Sequence, residues 1–182
     1  MTDLGASSYH LNLKEADALE YWVRTCADSL IRYAYSIVGS SAAAEDAMED
    51  AFAALLVKGG TFHSPQQLRA WLYKTTRSKA VDYLRHHKRE VPLYDLENVL
   101  CAPDPEADTF LQQRNQRLYA CMQQLPLQYR QALVLTYFDD FDVSQICVIL
   151  GKTKKQVYNL LARAKASLKE LLIKEGITYE GF

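Results

Sequence analysis

The sequence predicts an all-α protein, two small helical domains joined by an acidic linker, with a helix-turn-helix in the second. Three observations predict it. Glycine and proline are sparse, 7 and 5 of 182 residues, while leucine and alanine abound. Apolar residues recur at three- and four-residue spacing through nearly every long segment. Finally, Asp142 to Lys165 reads as two short helices around a tight turn.

Taken in order, Leu13 to Val38 reads as one or two amphipathic helices. Leu19, Trp22, Val23, Leu30, Ile31, Tyr33, Ala34 and Ile37 are its apolar positions, and Gly39-Ser40-Ser41 breaks it. A second helix runs from about Ala42 to Val57. Ala47, Met48, Ala51, Phe52, Leu55 and Leu56 form one face; Glu45, Asp46, Glu49 and Asp50 form another. Lys58 to Pro65 is a loop. Ser64 caps the third helix, Pro65 fills its first turn and Gln67 completes a capping box. That helix continues to about Glu90, where Pro92 ends it, and Leu68, Trp71, Leu72, Thr75, Ala80, Val81 and Leu84 are its apolar side.

Leu93 to about Asp108 holds acids, prolines and no helical period, as a flexible linker would. Helices resume from about Thr109 to Gln124, break at Leu125-Pro126, and continue from Leu127 to Phe138. Asp139-Asp140-Phe141 turns the chain. Asp142 then caps a helix with Gln145 as its box partner, and Gly151 stops it in the left-handed conformation. Thr153 caps the last helix, with Gln156 as partner. Val157, Leu160, Leu161, Ala164 and Leu168 face inward. Lys154, Lys155, Tyr158, Asn159, Ala162, Arg163 and Lys165 remain outside, a basic face suited to a major groove. The domains so read span residues 10–92 and 109–176, with the linker at 93–108.

The net charge of −1 hides a segregated pattern. Ala42 to Val57 carries only acids. Arg69 to Arg89 holds seven cations against Asp82. Val91 to Asp108 is acidic again, and Lys152 to Lys169 is wholly basic. Two basic segments between acidic ones suggest two nucleic-acid contacts and a basic protein partner. No signal peptide or membrane-length apolar run is present, which predicts a cytoplasmic protein without membrane insertion. Cys26, Cys101, Cys121 and Cys147 show no Cys-x-x-Cys pair, so no metal site is expected and the first, third and fourth read as small core residues. No nucleophile–base pair, metal-ligand spacing or phosphate-cradling glycine loop appears, so no cofactor and no catalysis are expected. His86-His87 reads as part of the basic surface.

This order of parts resembles the extracytoplasmic-function (ECF) group of bacterial RNA polymerase sigma factors, from about Leu19 to Leu172. Ala44-Glu45-Asp46 through Phe52 looks like family region 2.2, which docks on the polymerase clamp. The resemblance implies that Asp46, Glu49, Asp50 and Phe52 bind core RNA polymerase. The family often has Gln-Glu-x-Phe there, against Glu49-Asp50-Ala51-Phe52 here. Trp71-Leu72-Tyr73 and Asp82-Tyr83-Leu84-Arg85 look like regions 2.3 and 2.4, which hold the −10 element as single strand with a flipped base. That implies −10 contacts from Phe62, His63, Trp71, Lys74, Arg77, Ser78 and Arg85, since unstacked bases need aromatic pockets and the backbone needs cations. Many members have Asn where Ser78 stands, and Trp71 fits a core position equally well by its spacing.

Leu125-Pro126 and Arg130 look like the start of region 4, with Arg130 serving structure or a DNA phosphate. The helix-turn-helix looks like region 4.2, which reads the −35 duplex. Lys154, Lys155, Gln156, Tyr158 and Asn159 would reach base edges, and Arg163 and Lys165 phosphates. Tyr158 and Leu160 stand where relatives commonly carry cations. The resemblance thus implies a transcription initiation factor with core RNA polymerase, promoter DNA and an anti-sigma factor as partners. A stand-alone helix-turn-helix regulator and a helical adaptor that binds no DNA are the alternatives.

Overall fold

The computed structural model describes residues 9–10, 16–58, 61–87, 118 and 120–176, and the linker expected at 93–108 lies outside them. In chain order come β1 (Tyr9–His10), α1 (Ala16–Val38), α2 (Ser41–Lys58), β2 (Thr61–Phe62), α3 (Pro65–His87), α4 (Leu127–Tyr137), α5 (Val143–Leu150) and α6 (Lys154–Lys174). The two-residue strands pair antiparallel, Tyr9 opposite Phe62 and His10 opposite Thr61. Sequence periodicity gave no hint of this pairing, because two residues are too few to show a period of two.

Helices α1, α2 and α3 pack mutually. α1 is one continuous helix that ends where Gly39 takes φ 71° and donates to the Tyr35 carbonyl at 2.9 Å. Its inner stripe of Trp22, Cys26, Leu30, Tyr33, Ala34 and Ile37 is buried. α2 turns Ala44, Ala47, Ala51, Phe52 and Leu55 onto it, the alanines allowing close approach. α3 adds Leu68, Leu72, Tyr73, Thr76, Ala80 and Leu84. Its Ser64 cap accepts from the Gln67 amide at 3.1 Å, but the Gln67 side chain takes the amide of His63 rather than of Ser64, so the expected box is displaced by one residue.

The second unit is built on α4, α5 and α6. Both capping boxes of the helix-turn-helix form: Asp142 with Gln145, and Thr153 with Gln156. Gly151 between them sits at φ 65°, with open space where a Cβ would be. α4 and α6 pack along each other, and Val157, Leu160, Ala164, Leu168 and Leu172 face the core.

The two units also pack together. α4 lies against α1 and α5 against α3, and the buried apolar residues of both units form one continuous cluster. Phe141 meets Tyr73 edge-on at 4.6 Å, and Tyr73 meets Tyr33 at 5.2 Å.

Candidate nucleic-acid and polymerase interfaces

The front of α6 is a solvent-facing stripe. Lys154, Lys155, Gln156, Tyr158, Asn159, Arg163 and Lys165 are all exposed. Thr153 fixes their starting phase, because the cap decides which residue opens the helix. At about 100° per residue, Lys154, Tyr158 and Lys165 share one edge of the stripe, and Gln156 and Arg163 the opposite edge. The second edge borders a concavity of 230 Å³ lined by Gln128, Tyr129, Lys152, Gln156, Asn159, Leu160 and Arg163. On the first edge, the Lys165 ammonium lies 5.2 Å from the Tyr137 ring, so it is turned toward α4. Leu160 is 6% exposed and packs inward, so the position where relatives commonly carry a cation here supports the core.

Arg130 is fully buried and donates to the Gln123 carbonyl at 3.1 Å and its side-chain oxygen at 2.6 Å. Of the two roles expected for it, the structural one is what this burial supports.

On α3, Trp71, Lys74, Ser78 and Arg85 fall within about 60° of helical arc, a single face. Trp71 is half-buried, between the core and surface readings, and meets Phe62 at 5.9 Å in an edge-on contact. The Lys58 ammonium sits over both rings, 4.7 Å from Phe62 and 5.5 Å from Trp71. These groups, with Gln66, Gln67, Ala70 and Lys74, line a cavity of 400 Å³. Its far wall comes from the second unit: Ser144, Gln145 and Val148 of α5. Phe62 itself is only 3% exposed, so in this state it supports Trp71 rather than offering a face for stacking. His63 is exposed beside it. Arg77 departs from the expected set, because its phase turns it off the Trp71 face and its Nε donates to Gln131 of α4 at 3.2 Å. Arg85 is exposed and paired with Asp82 at 3.0 Å. Lys58, Gln66 and Gln67 also belong to the cavity; the sequence marked Gln67 only as a capping partner, and its spacing from Trp71, one turn apart, was the one signal that it shares that face.

Along α2, Asp46, Glu49 and Asp50 are exposed, and Asp50 stands 3.4 Å from Lys79 across a solvated surface. Phe52 is 6% exposed and belongs to the core. The expectation sets it beside the acids against polymerase; at about 100° per residue it lies about 60° from both Glu49 and Leu55, so it is burial alone that sets it apart from the exposed Asp46, Glu49 and Asp50. Leu56 and Val57 are exposed at the end of the same helix.

Of the three cysteines expected in the core, Cys26 and Cys121 are buried, whereas Cys147 is half-buried. No cluster of metal-binding side chains occurs among the described residues. No described helix is long and apolar enough to cross a membrane.

The α1–α3 unit and the helix-turn-helix unit both have counterparts in known families. Residues 22–90 match the family described as Sigma-70 region 2, and residues 115–168 match Sigma-70, region 4. The chain is 25% identical over 147 residues to RNA polymerase sigma factor SigV of Bacillus subtilis, covering 81% of this chain and 86% of SigV. It is 25% identical over 151 residues to the ECF RNA polymerase sigma factor SigM of the same organism, covering 79% and 88%. Among solved structures, the sigma factor RpoE in complex with the anti-sigma factor NepR from Bartonella quintana superposes with a TM-score of 0.65 at 22% identity, over 84% of this chain and 95% of that one, a likeness of fold. The class is therefore the sigma-70 family of transcription initiation factors, which direct RNA polymerase to promoters, and the chain belongs to it. Within that family it is a sigma factor of the extracytoplasmic-function type.

Proposed function

We propose the following division of labour. The domain at residues 10–92 binds core polymerase and captures the melted −10 strand. The domain at 109–176 places α6 in the −35 major groove. The linker at 93–108 tethers them. The observation that carries this is the first unit's side of that cavity: the Trp71 ring backed by Phe62, the Lys58 and Lys74 ammonium groups and the Gln66 and Gln67 amides suit an extruded base with its phosphate. Ser78 and Arg85 continue the face along the strand. His63 flanks its entrance.

On α6, Lys154, Lys155, Gln156, Tyr158 and Asn159 reach base edges, while Arg163 and Lys165 meet phosphates. On α2, Asp46, Glu49 and Asp50 pair with a basic surface of core polymerase, and exposed Leu56 adds apolar contact. Arg77 enters the strand-binding set only when its bond to Gln131 breaks. The chain does no chemistry and takes no cofactor. It supplies sequence-dependent binding energy, and tethering on polymerase raises the effective concentration of two individually weak DNA contacts. It works in the cytoplasm, and an anti-sigma factor is its proposed negative regulator.

The test is mixing the purified chain with bacterial core RNA polymerase. Co-elution with promoter-specific run-off transcripts is expected. No association, together with tight salt-dependent duplex binding by the chain alone, overturns the reading in favour of a stand-alone regulator.

A further inference from the structure

The turn between α4 and α5 buries a carboxylate between the two units. The Asp139 side chain is wholly buried and pairs with Arg32 of α1 at 2.6 Å. Its backbone carbonyl accepts from Arg69 of α3, also at 2.6 Å. The Arg69 guanidinium lies 4.2 Å from the Phe141 ring, and Phe141 packs on Tyr73. One turn along α3, Arg77 reaches Gln131. Three cations of the first unit therefore hold one short stretch of the second. The same docking sets Ser144, Gln145 and Val148 across the cavity of Trp71 and Lys74.

We infer that Asp139, Arg32 and Arg69 form an intramolecular latch that keeps the free chain closed, with α5 standing across one side of the strand-capture cavity, so that the two units must part before the −10 strand can lie along it. The role of that cavity rests on the function proposed above; the latch itself does not.

The chemistry of the pair makes the latch testable. A buried carboxylate that loses its cation stays uncompensated, which costs far more than losing both partners together. Burial raises the Asp139 carboxyl above the usual carboxylate range, and the Arg32 bond and charge oppose this without overcoming it. Opening returns the carboxylate to water. Arg32→Gln therefore shifts the closed–open ratio toward open by about tenfold to a hundredfold, allowing for the partial exposure of Arg32. Adding Asp139→Asn to it removes the stranded charge and restores closure.

The experiment measures the full chain by small-angle scattering, and by acrylamide quenching of Trp71, since Trp22 is 5% exposed. Helical circular dichroism is the folding control. The expected result is a larger radius of gyration and stronger quenching for Arg32→Gln, both reversed in Arg32→Gln/Asp139→Asn. A second variant guards against misfolding. Arg69→Gln removes the other cation of the latch, with its 2.6 Å bond to the Asp139 carbonyl and its contact with the Phe141 ring, so it also opens the chain. If both Arg32→Gln and Arg69→Gln keep full helicity and remain as compact and unquenched as the parent, the latch is wrong. If Arg32→Gln unfolds, Arg69→Gln decides alone. If the variants open as expected but core polymerase ignores parent and variants alike, the latch stands and the promoter-directing role of the cavity falls.

Discussion

Arg130 offers the sharpest contrast between a structural and a DNA-binding role. It is fully buried, and its guanidinium satisfies two oxygens of Gln123, itself 4% exposed. Arg130→Met keeps the length of the stem and removes the fork. Two buried acceptors then lose a donor, at about 1–3 kcal/mol for an unsatisfied group. Leaving a cation out of the interior recovers part of that, so the net loss is about 1–3 kcal/mol. Arg130→Ala also forfeits the packing of the stem, and the loss rises to about 3–5 kcal/mol. Urea unfolding followed by helical circular dichroism reads both. In parallel, the salt dependence of duplex binding by the variant on core polymerase keeps its parental slope, because no phosphate contact has been removed. Stability within about 0.5 kcal/mol of the parent, together with a slope shallower by about 0.9, would refute the structural assignment and make Arg130 a phosphate ligand.

Other positions separate the surfaces. Arg163→Ala with Lys165→Ala, the two residues placed on phosphates, should flatten the same salt slope by about 1.8, with core-polymerase association unchanged; a fall in association would contradict the domain assignment. Charge reversal at Asp46 and Asp50 should weaken association with core polymerase on a sizing column while leaving helicity intact, and an undiminished complex removes α2 from that role. Gly151→Ala meets no steric obstacle, so only the left-handed backbone is penalised, by about 1 kcal/mol in unfolding free energy. Asp139 gives a pH signature. Burial raises its carboxyl above its ordinary value of 3.8, opposed by Arg32 of α1 and by Tyr73 and Arg69 of α3, and Tyr33 and Cys26 of α1 also face it. Its favourable contribution is complete below the ordinary value and is lost as pH rises through the raised one. The stability of Asp139→Asn relative to the parent should therefore increase from acidic toward neutral pH; a flat difference contradicts the raised carboxyl.

What could be read in the sequence was local. Both boxes of the helix-turn-helix and the left-handed Gly151 are set by residues no more than three apart, and the structure has all of them. The inner and outer faces of α6 follow from one period, and Leu160 falls inside as its neighbours require. Long-range pairing was not readable. Arg32 and Asp139 are 107 residues apart, and nothing in either neighbourhood names the other. Asp139-Asp140 looked like turn residues, and they are; the burial of Asp139 is added by the docking of the second unit. Aromatic positions were ambiguous for a related reason. Phe52 and Phe62 have the chemistry of a binding surface and are buried in the closed chain, and a helical period alone does not say which way a large apolar side chain turns.

Closure treats the two proposed DNA surfaces unequally. The whole front of α6 is exposed in the closed chain, while the cavity around Trp71 is walled by α5 and Arg77 is held by Gln131. On the proposed division of labour, a closed chain presents its duplex-reading face but not its strand-capturing one. The proposed single-strand contacts then become available only when something competes for the inner face of the first unit. In that proposal core polymerase does so by holding α2 and pulling the units apart, with binding energy spent against the latch. Such an arrangement suits a chain whose net charge is −1 despite its basic segments. Of its cationic side chains, Arg32, Arg69 and Arg77 are occupied internally until the partner arrives. Weakening the latch should then raise initiation most at low polymerase concentration and least at saturation, because a ligand's apparent affinity scales with the fraction of the chain already competent to bind.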